Sequence, residues 1–480
     1  MNEIIKTISD FLWNYILLFA LLGVGIFLSF KLKFPQVTKL WGSVKKLIQD
    51  IKDKVEVPEG CMTPLQSLAT AVAAQVGTGN IVGVATAIAA GGPGAALWMI
   101  VSAFFGMSTI FSEAVLAQFY RENKNGQLVG GPAYYIKNGL KSKWLSIVFA
   151  VLCIISLGMV GVMVQSNSIV TSLNEAVGLS KPFITIGLAA IVGVILIGGM
   201  QRIAKFSEKV VPVMAFAYIL GSVIIILMNL EAFLPSLRMI FVGAFTPQAI
   251  AGGALGITVQ EAARFGLARG LFSNEAGMGS TPHSHAVAQN DHPADQGFIA
   301  MIGVFISTFL ICMSTVMMNM VSGSYNTSIP AAEMSKDAVL MTQNGFVAGF
   351  GSFGGIFLSL SLSSFALTTI VGWYFFAESN VKFLSGDKKF LVSAFKAVAI
   401  AFLVIGPLLD ADLIWNLADL FMGAMALPNI IALFVLSGLS KRILEHYEHY
   451  KKTGEEIPLA TCELPRQTPT LFNNRKKRSK

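Results

Sequence analysis

Apolar residues run through this chain in long blocks separated by short polar intervals. The first block, FLWNYILLFALLGVGIFLSF from Phe11 to Phe30, is about twenty residues long, enough for a helix to cross roughly 30 Å of hydrocarbon. No A-x-A cleavage site follows it, the run is long for a signal-peptide core, and Glu3 and Asp10 precede it, so a retained helix is expected. Further apolar blocks lie near 65–91, 94–120, 143–173, 182–201, 210–230, 262–289, 296–322, 346–378, 390–410 and 413–440. With the first they predict about eleven spans. The block at 262–289 is the least regular: Glu261 stands just before it, and Arg264, Arg269, Glu275, His283 and His285 lie inside it. Residues 231–261, interrupted by Pro235, Pro247, Gly252 and Gly253, are expected to lie along the outer interface. The amphipathic run from Val37 to Val55 is expected to do the same on the cytoplasmic face.

Composition narrows the class. Hydrophobic residues make up 54% of 480 and charged residues 13%, with a mean hydropathy of +0.66, which excludes an ordinary soluble enzyme. The net charge of +8 does not point to nucleic acid, because the cations sit in alternate loops between the apolar blocks. Lys31, Lys33, Lys39, Lys45, Lys46, Lys52 and Lys54 crowd the first loop, Arg121, Lys124, Lys137, Lys141 and Lys143 the third, and Arg202, Lys205 and Lys209 the fifth. The intervening loops are nearly bare, residues 323–345 holding only Lys336. This asymmetry predicts an outside N-terminus. Lys382, Lys388, Lys389 and the tail NNRKKRSK then fall on the cytoplasmic side, provided that 262–289 crosses once. The tail reads as a solvated segment, with contact to anionic lipid as the alternative. Cys61, Cys153, Cys312 and Cys462 form no C-x-x-C pair and read as packing residues.

Two blocks are interrupted at their centres, one by GTGN (Gly77 to Asn80) and one by SNEAGMGS (Ser273 to Ser280). They occupy corresponding positions in two halves of five spans each, 61–230 and 262–440, preceded by a segment 1–60, joined by 231–261 and followed by a basic tail 441–480. Five is odd, so the second half is inverted relative to the first. Inverted halves, each with a broken first helix, are the sequence signature of a secondary transporter. The chemistry is specific: a break exposes carbonyls at the end of one half-helix, which attract a cation, and amides at the start of the next, which receive a carboxylate. Taken alone, Gly77 and Gly79 read equally as small residues for close helix packing, but the second break at the mirrored position favours the binding reading. Asn274 and Glu275 at the second break read either as tethers of the unwound backbone or as groups that polarise an ion path, the tether being favoured because a fixed carboxylate is costly there. Arg264 and Arg269 are expected near the outer vestibule, paired with Glu261 or Glu275, and Glu113 is a candidate for an ion pair or gate.

Other classes fit less well. His283 and His285 with Glu275 raise a membrane-embedded metal-dependent enzyme as a remote alternative, yet i, i+2 spacing turns two imidazoles apart on a helix, and neither H-E-x-x-H nor G-x-S-x-G occurs. A channel needs a continuous polar pore, whereas here polarity is confined to one break in each half.

Long stretches also carry a family resemblance. VGTGNIVGVATAIAAGGPGAALWMIVSAFFGM (Val76 to Met107), RGLFSNEAGMGSTPHSHA (Arg269 to Ala286), GGPAYYIKNGL (Gly130 to Leu140) and TTIVGWYFFAES (Thr368 to Ser379) resemble the alanine or glycine:cation symporter family over nearly the whole chain. The resemblance implies an all-α polytopic protein of the leucine-transporter-type fold, with two inverted five-helix repeats and one extra N-terminal helix. It implies uptake of alanine or glycine, or D-alanine, coupled to Na⁺ by alternating access, in the cell (inner) membrane, without an obligatory protein partner. Coupling to H⁺ and a larger neutral substrate such as glutamine stay open as alternatives. By position, Gly77, Thr78, Gly79 and Asn80 are implied to meet the substrate carboxylate. The carbonyls of Ala73, Val76 and Phe365 with the hydroxyls of Thr368 and Thr369 are implied to face the ion, hard oxygens being what Na⁺ requires. Gln165 is implied to bond the substrate, against the alternative of a helix-to-helix amide bond. Thr369 and Trp373 are four apart and share a helical face, so Trp373 is expected to cap a small side-chain pocket rather than to anchor at the interface.

Overall fold

The computed structural model describes residues 2–53, 57–58, 60–124, 126–246, 258–326, 329, 334, 338–386 and 388–453. Pro247, Gly252, Gly253, Lys54, Val55, Lys336, Cys462 and the tail NNRKKRSK lie outside them. The described chain is almost entirely helical. In order it forms α1 (Glu3–Lys31), α2 (Leu40–Lys52), α3 (Pro64–Gln75), α4 (Gly79–Gly91) and α5 (Ala95–Phe119). A short hairpin follows, β1 (Glu122–Lys124) pairing antiparallel with β2 (Gln127–Val129). Then come α6 (Pro132–Gly139), α7 (Lys143–Val177), α8 (Lys181–Ile197), α9 (Gly199–Met228) and α10 (Leu230–Phe245). The second half holds α11 (Val259–Asn274), α12 (Pro282–Ala286), α13 (Pro293–Val321), α14 (Ala338–Phe350), α15 (Ser352–Ser385), α16 (Lys389–Leu408) and α17 (Ala411–Thr453).

Among the described residues, eight helices are long and apolar enough to cross a membrane, and the bent pair α3 and α4 makes a ninth. Two expected crossings have a different geometry. Helix α8 is apolar but 17 residues long, and the 262–289 block resolves into α11, a non-helical turn and the five-residue α12. Large apolar side chains face outward along α8 and α9, including Phe183, Ile186, Val194, Val213 and Phe216. An apolar outer surface of this kind suits a lipid surround, where no polar face is needed. The expected tail from residue 441 begins as helix instead, since α17 continues to Thr453.

Local signals explain where the broken helices begin. Thr63 and Gln66 form a reciprocal capping box at the start of α3, with Pro64 in the first turn. Thr258 and Glu261 form the same arrangement on α11. The two broken helices then run antiparallel. Met62 pairs its backbone with Val287 and Gln289, the Gln75 side-chain amide donates to Asn274 O at 2.7 Å, and Gly91 meets Phe265 and Glu261 at the other end. Helix α11 also lies hard against α5: a methyl group on Gly266 would stand 2.2 Å from Ala95 O.

Helix α1 closes the assembly from outside the two halves. Trp13 donates its indole N–H to Asp419 O on α17 at 2.9 Å, and Asp10 pairs with Arg264 on α11 at 2.8 Å. Arg269 pairs with the Asp419 carboxylate at 3.1 and 3.2 Å. Neither arginine pairs with Glu261 or Glu275, because both guanidinium groups leave the side of α11 that faces the break and reach α1 and α17 instead.

Candidate functional site

The first break is made by a side chain. In a continuous helix the Gly77 N–H would donate to Ala73 O and the Asn80 N–H to Val76 O. Here Gly77 N–H donates to Asn80 Oδ1 at 3.0 Å, and Asn80 N–H turns to Gly77 O at 3.2 Å. Two carbonyls are released from the ladder, and the helix axis bends by 54° across Val76 to Thr78.

Helix α15 meets those carbonyls. Thr369 Oγ1 stands 2.9 Å from Ala73 O, 3.2 Å from Val76 O and 3.0 Å from Phe365 O. Thr368 Oγ1 also contacts Phe365 O, at 2.8 Å. The five oxygens expected from the resemblance are therefore adjacent, and they hold only two hydroxyl protons among three carbonyls. This is an electronegative knot, buried with no fixed charge, and its donor set suits a hard monovalent cation. All five contributing residues are 0–1% exposed.

The turn itself is enclosed. Thr78 N–H donates to Gln165 Oε1 on α7 at 3.3 Å, and Gln165 Oε1 and Thr369 Oγ1 both crowd Gly77, where a methyl group would lie 2.5 Å from the threonine oxygen. Phe272 of α11 covers Gly79 in the same way, at 2.9 Å. Thr78 Oγ1 is buried with no hydrogen-bond partner among the described residues, as is Gln75 Oε1. Unpaired buried oxygens beside unwound backbone are what a polar ligand would satisfy. The Asn80 amide nitrogen spans to the second broken helix, donating to Ser273 Oγ at 2.7 Å, with Ser307 Oγ at 3.1 Å. Thus Asn80 shapes the turn with its oxygen and locks it to α11 and α13 with its nitrogen.

Trp373 is 2% exposed, so it is a core residue and not an interfacial anchor. Its ring faces Gly161 on α7, where a methyl group would lie 2.6 Å from the indole, and its N–H donates to Glu275 Oε1 at 2.7 Å. The predicted site residues therefore form two levels: Thr369, Gly77 and Gln165 in one, and Trp373 one helical turn along α15.

The second break is held by carboxylates. Glu275 ends α11 in the left-handed region, φ +56°, and Gly277 and Gly279 follow at +88° and +83°, conformations that glycine adopts without a Cβ clash. Glu113 on α5 accepts the Gly277 and Gly279 N–H groups at 3.1 and 3.0 Å and the Asn429 amide at 2.6 Å. Tyr135 of α6 donates to Asn429 Oδ1. Glu275 itself accepts from Ser280 Oγ and from Trp373, and Asn274 Oδ1 accepts the Ala276 N–H at 3.0 Å. Asn274 and Glu275 are tethers here, and among the described residues Glu113 anchors an unwound loop and forms no ion pair. The roles of Ser273, Ser307, Phe272 and Asn429 are not signalled by sequence spacing, because they depend on contacts between distant helices. The capping boxes TPLQ and TVQE were legible signals that mark both broken helices. His283 and His285 diverge as expected: His283 lies between Ser280 O and Asn380, and His285 faces Ser67 and Gln296.

Comparison with known proteins shows the family. A model of the sodium:alanine symporter family matches residues 1–461. The chain is 37% identical to the sodium/alanine symporter AgcS of Methanococcus maripaludis, covering 91% of this chain and 95% of that protein. It is likewise 37% identical to the amino-acid carrier protein AlsT of Bacillus subtilis, over 97% of this chain and 96% of the relative. A third relative, named "Probable sodium/glutamine symporter GlnT" in Bacillus subtilis, is 37% identical over 95% of this chain and 92% of its own length. These relatives are transporters, and an amino acid:cation symporter built of membrane-spanning helices is the class they define. With a match that runs through both broken helices and their partners on α7 and α15, the chain belongs to the sodium:alanine symporter family.

Proposed function

We propose that this protein takes up a small neutral amino acid, alanine above all, together with Na⁺ by alternating access. The observation that carries this reading is the cluster of five uncharged oxygens from Ala73, Val76, Phe365, Thr368 and Thr369, one turn from an unwound backbone with an unpaired buried hydroxyl at Thr78. Na⁺ is held there by carbonyls and hydroxyls that need no deprotonation, which favours it over H⁺. The substrate ligands are Gly77, Thr78, Gly79, Asn80, Gln165, Thr369 and Trp373. The turn amides receive the carboxylate, Thr369 stands between ion and substrate, and Phe272 over Gly79 with Trp373 one turn along α15 bounds the space for the substrate side chain.

In this mechanism the ion draws the released carbonyls of α3 toward α15 and completes the amino-acid site. The two broken helices, joined through Gln75, Asn80, Ser273 and Asn274, then tilt as one body within two inverted five-helix repeats. The protein resides in the cell membrane with its N-terminus outside and its C-terminus in the cytoplasm. The test is uptake of labelled alanine into proteoliposomes. A saturable flux that collapses when Na⁺ is replaced by choline, and is blocked by excess glycine or alanine but not by excess glutamine, is the expected result. Flux driven equally by a proton gradient, or blocked best by glutamine, overturns the ion or the substrate assignment respectively.

A further inference from the structure

Glu275 is buried, 2% exposed, and its two oxygens have separate tasks. Oε2 accepts from Ser280 Oγ within the unwound loop. Oε1 accepts from the Trp373 indole at 2.7 Å. The carboxylate therefore ties the loop of the second break to a side chain on α15, and the tie is rigid at both ends. At one end the Glu275 backbone is fixed as the C-cap of α11, its N–H donating to Leu271 O at 2.8 Å. At the other the indole has no freedom, because Gly161 lies against its six-membered ring so closely that even a methyl group would stand 2.6 Å away.

Two pairs of residues, each one helical turn apart, set the level of this ring. Thr369 and Trp373 lie on α15, and Gly161 and Gln165 on α7. Thr369 and Gln165 both touch Gly77 of the first break, and Trp373 and Gly161 touch each other. The indole thus closes the space next to the turn, and Glu275 decides where it stands. We propose that Glu275 is a positioning residue for substrate size: through its bond to the Trp373 N–H it holds the indole against Gly161 and keeps larger neutral side chains out of the site. This rests on the small-amino-acid reading given above.

The role is one of hydrogen bonding and not of charge, and the two can be separated. Glu275→Gln keeps an acceptor for the indole and a partner for Ser280. Glu275→Gly removes both bonds but favours the left-handed backbone at this position. Trp373→Phe breaks the same bond from the other side while keeping an aromatic ring. Each variant, reconstituted in liposomes, is assayed for Na⁺-driven uptake of alanine and of leucine, with KM and kcat taken separately. Glu275→Gln is expected to keep the ratio of alanine to leucine kcat/KM within about twofold of the unmodified protein. Glu275→Gly and Trp373→Phe are each expected to lower that ratio at least about tenfold, chiefly through the leucine KM, and the double variant Glu275→Gly with Trp373→Phe no further, since both changes sever one contact.

An unchanged ratio in Trp373→Phe overturns the proposal even if Glu275→Gly does not fold. Loss of Na⁺ dependence in Glu275→Gln also overturns it, since that result makes the charge itself the functional group. An unmodified protein without Na⁺-driven alanine uptake defeats the underlying reading instead, so the two failures are distinguishable.

Discussion

At the scale of single residues, the first break depends on a competition for one amide. Asn80 Oδ1 takes the Gly77 N–H that Ala73 O would otherwise accept, so the side chain both interrupts the helix and exposes a ligand. Asn80→Ala is expected to let the turn wind back toward helix and to lower Na⁺-stimulated alanine uptake at least about tenfold, equivalent to about 1.4 kcal/mol, with normal amounts of protein in the membrane. Uptake by Asn80→Ala equal to that of the unmodified protein would remove the turn from the mechanism. Thr369 is the second test, because its hydroxyl alone touches three carbonyls. Thr369→Ala is expected to raise the Na⁺ concentration for half-maximal uptake about tenfold or more, and Thr369→Ser to restore it, as read from Na⁺ titrations of initial rate.

At the scale of elements, the amides of the unwound loop after α11 are met by a carboxyl group from α5. Glu113 accepts from two backbone N–H groups and from Asn429, so Glu113→Ala leaves the buried Gly277 and Gly279 N–H groups without this acceptor and the Asn429 amide with Gly277 O alone. Buried groups left unpaired cost roughly 1–3 kcal/mol each. The variant is expected to melt several degrees lower in detergent, with Glu113→Gln intermediate because it keeps one acceptor oxygen. A melting point unchanged in Glu113→Ala would show that the loop does not need the anchor. Sequence periodicity found the apolar helices of this family with ease, yet α11 carries Arg264, Arg269 and Glu261 and is not apolar enough to cross by composition. It is buried by glycine contact with α5 and by ion pairs to α1 and α17, which no window of hydropathy can represent.

The ends of the helices that emerge from the bundle make a second, polar assembly. Lys46 of α2 pairs with Asp295 at the start of α13, and Lys39 pairs with Glu448 of α17 at 2.8 Å. His292 caps α13, its Nδ1 accepting the Ala294 N–H at 3.0 Å, which leaves Nε2–H to donate to His446 Nδ1 at 3.1 Å. Burial, followed by His446, Lys46 and Lys451, pushes the His292 pKa down from 6.5 to about 3. The neutral ring is thus the folded form. The unfolded chain binds the extra proton first, so stability from this contact is full above about pH 6.5 and declines as pH falls toward 3. His292→Asn retains a cap and is expected to flatten the acid side of the melting-temperature profile between those values. Equal acid sensitivity in the variant would assign that loss of stability to other groups.

At the scale of the whole molecule, the proposed topology and the charge pattern make a joint prediction. With the N-terminus outside and the basic loops inside, single cysteines introduced at Lys45 and Lys205 are expected to resist a membrane-impermeant thiol reagent added to intact cells, and one at Gly178 to react. The reverse pattern would invert the orientation. This prediction belongs to the complete assembly because α8 and the α11 to α12 block, which do not pass as ordinary spans, decide whether the later loops alternate as proposed.

What the amino-acid sequence determined by itself was the membrane class, most of the long helices and the two breaks, since each follows from local composition: runs of apolar residues, loops rich in lysine, and glycines with polar neighbours where a helix should continue. The motifs also carried the family, and that resemblance singled out the five positions proposed to face the ion. Only the tertiary structure decided that Asn80 joins both broken helices, that Arg264 and Arg269 look away to α1 and α17, and that Glu275 holds Trp373 while Glu113 holds the loop beside it. Those are contacts between residues from about 100 to more than 300 positions apart. In a bilayer, where backbone groups released by a break find no water, the partners that satisfy them must come from whichever helix packs there, and that choice is made by the fold.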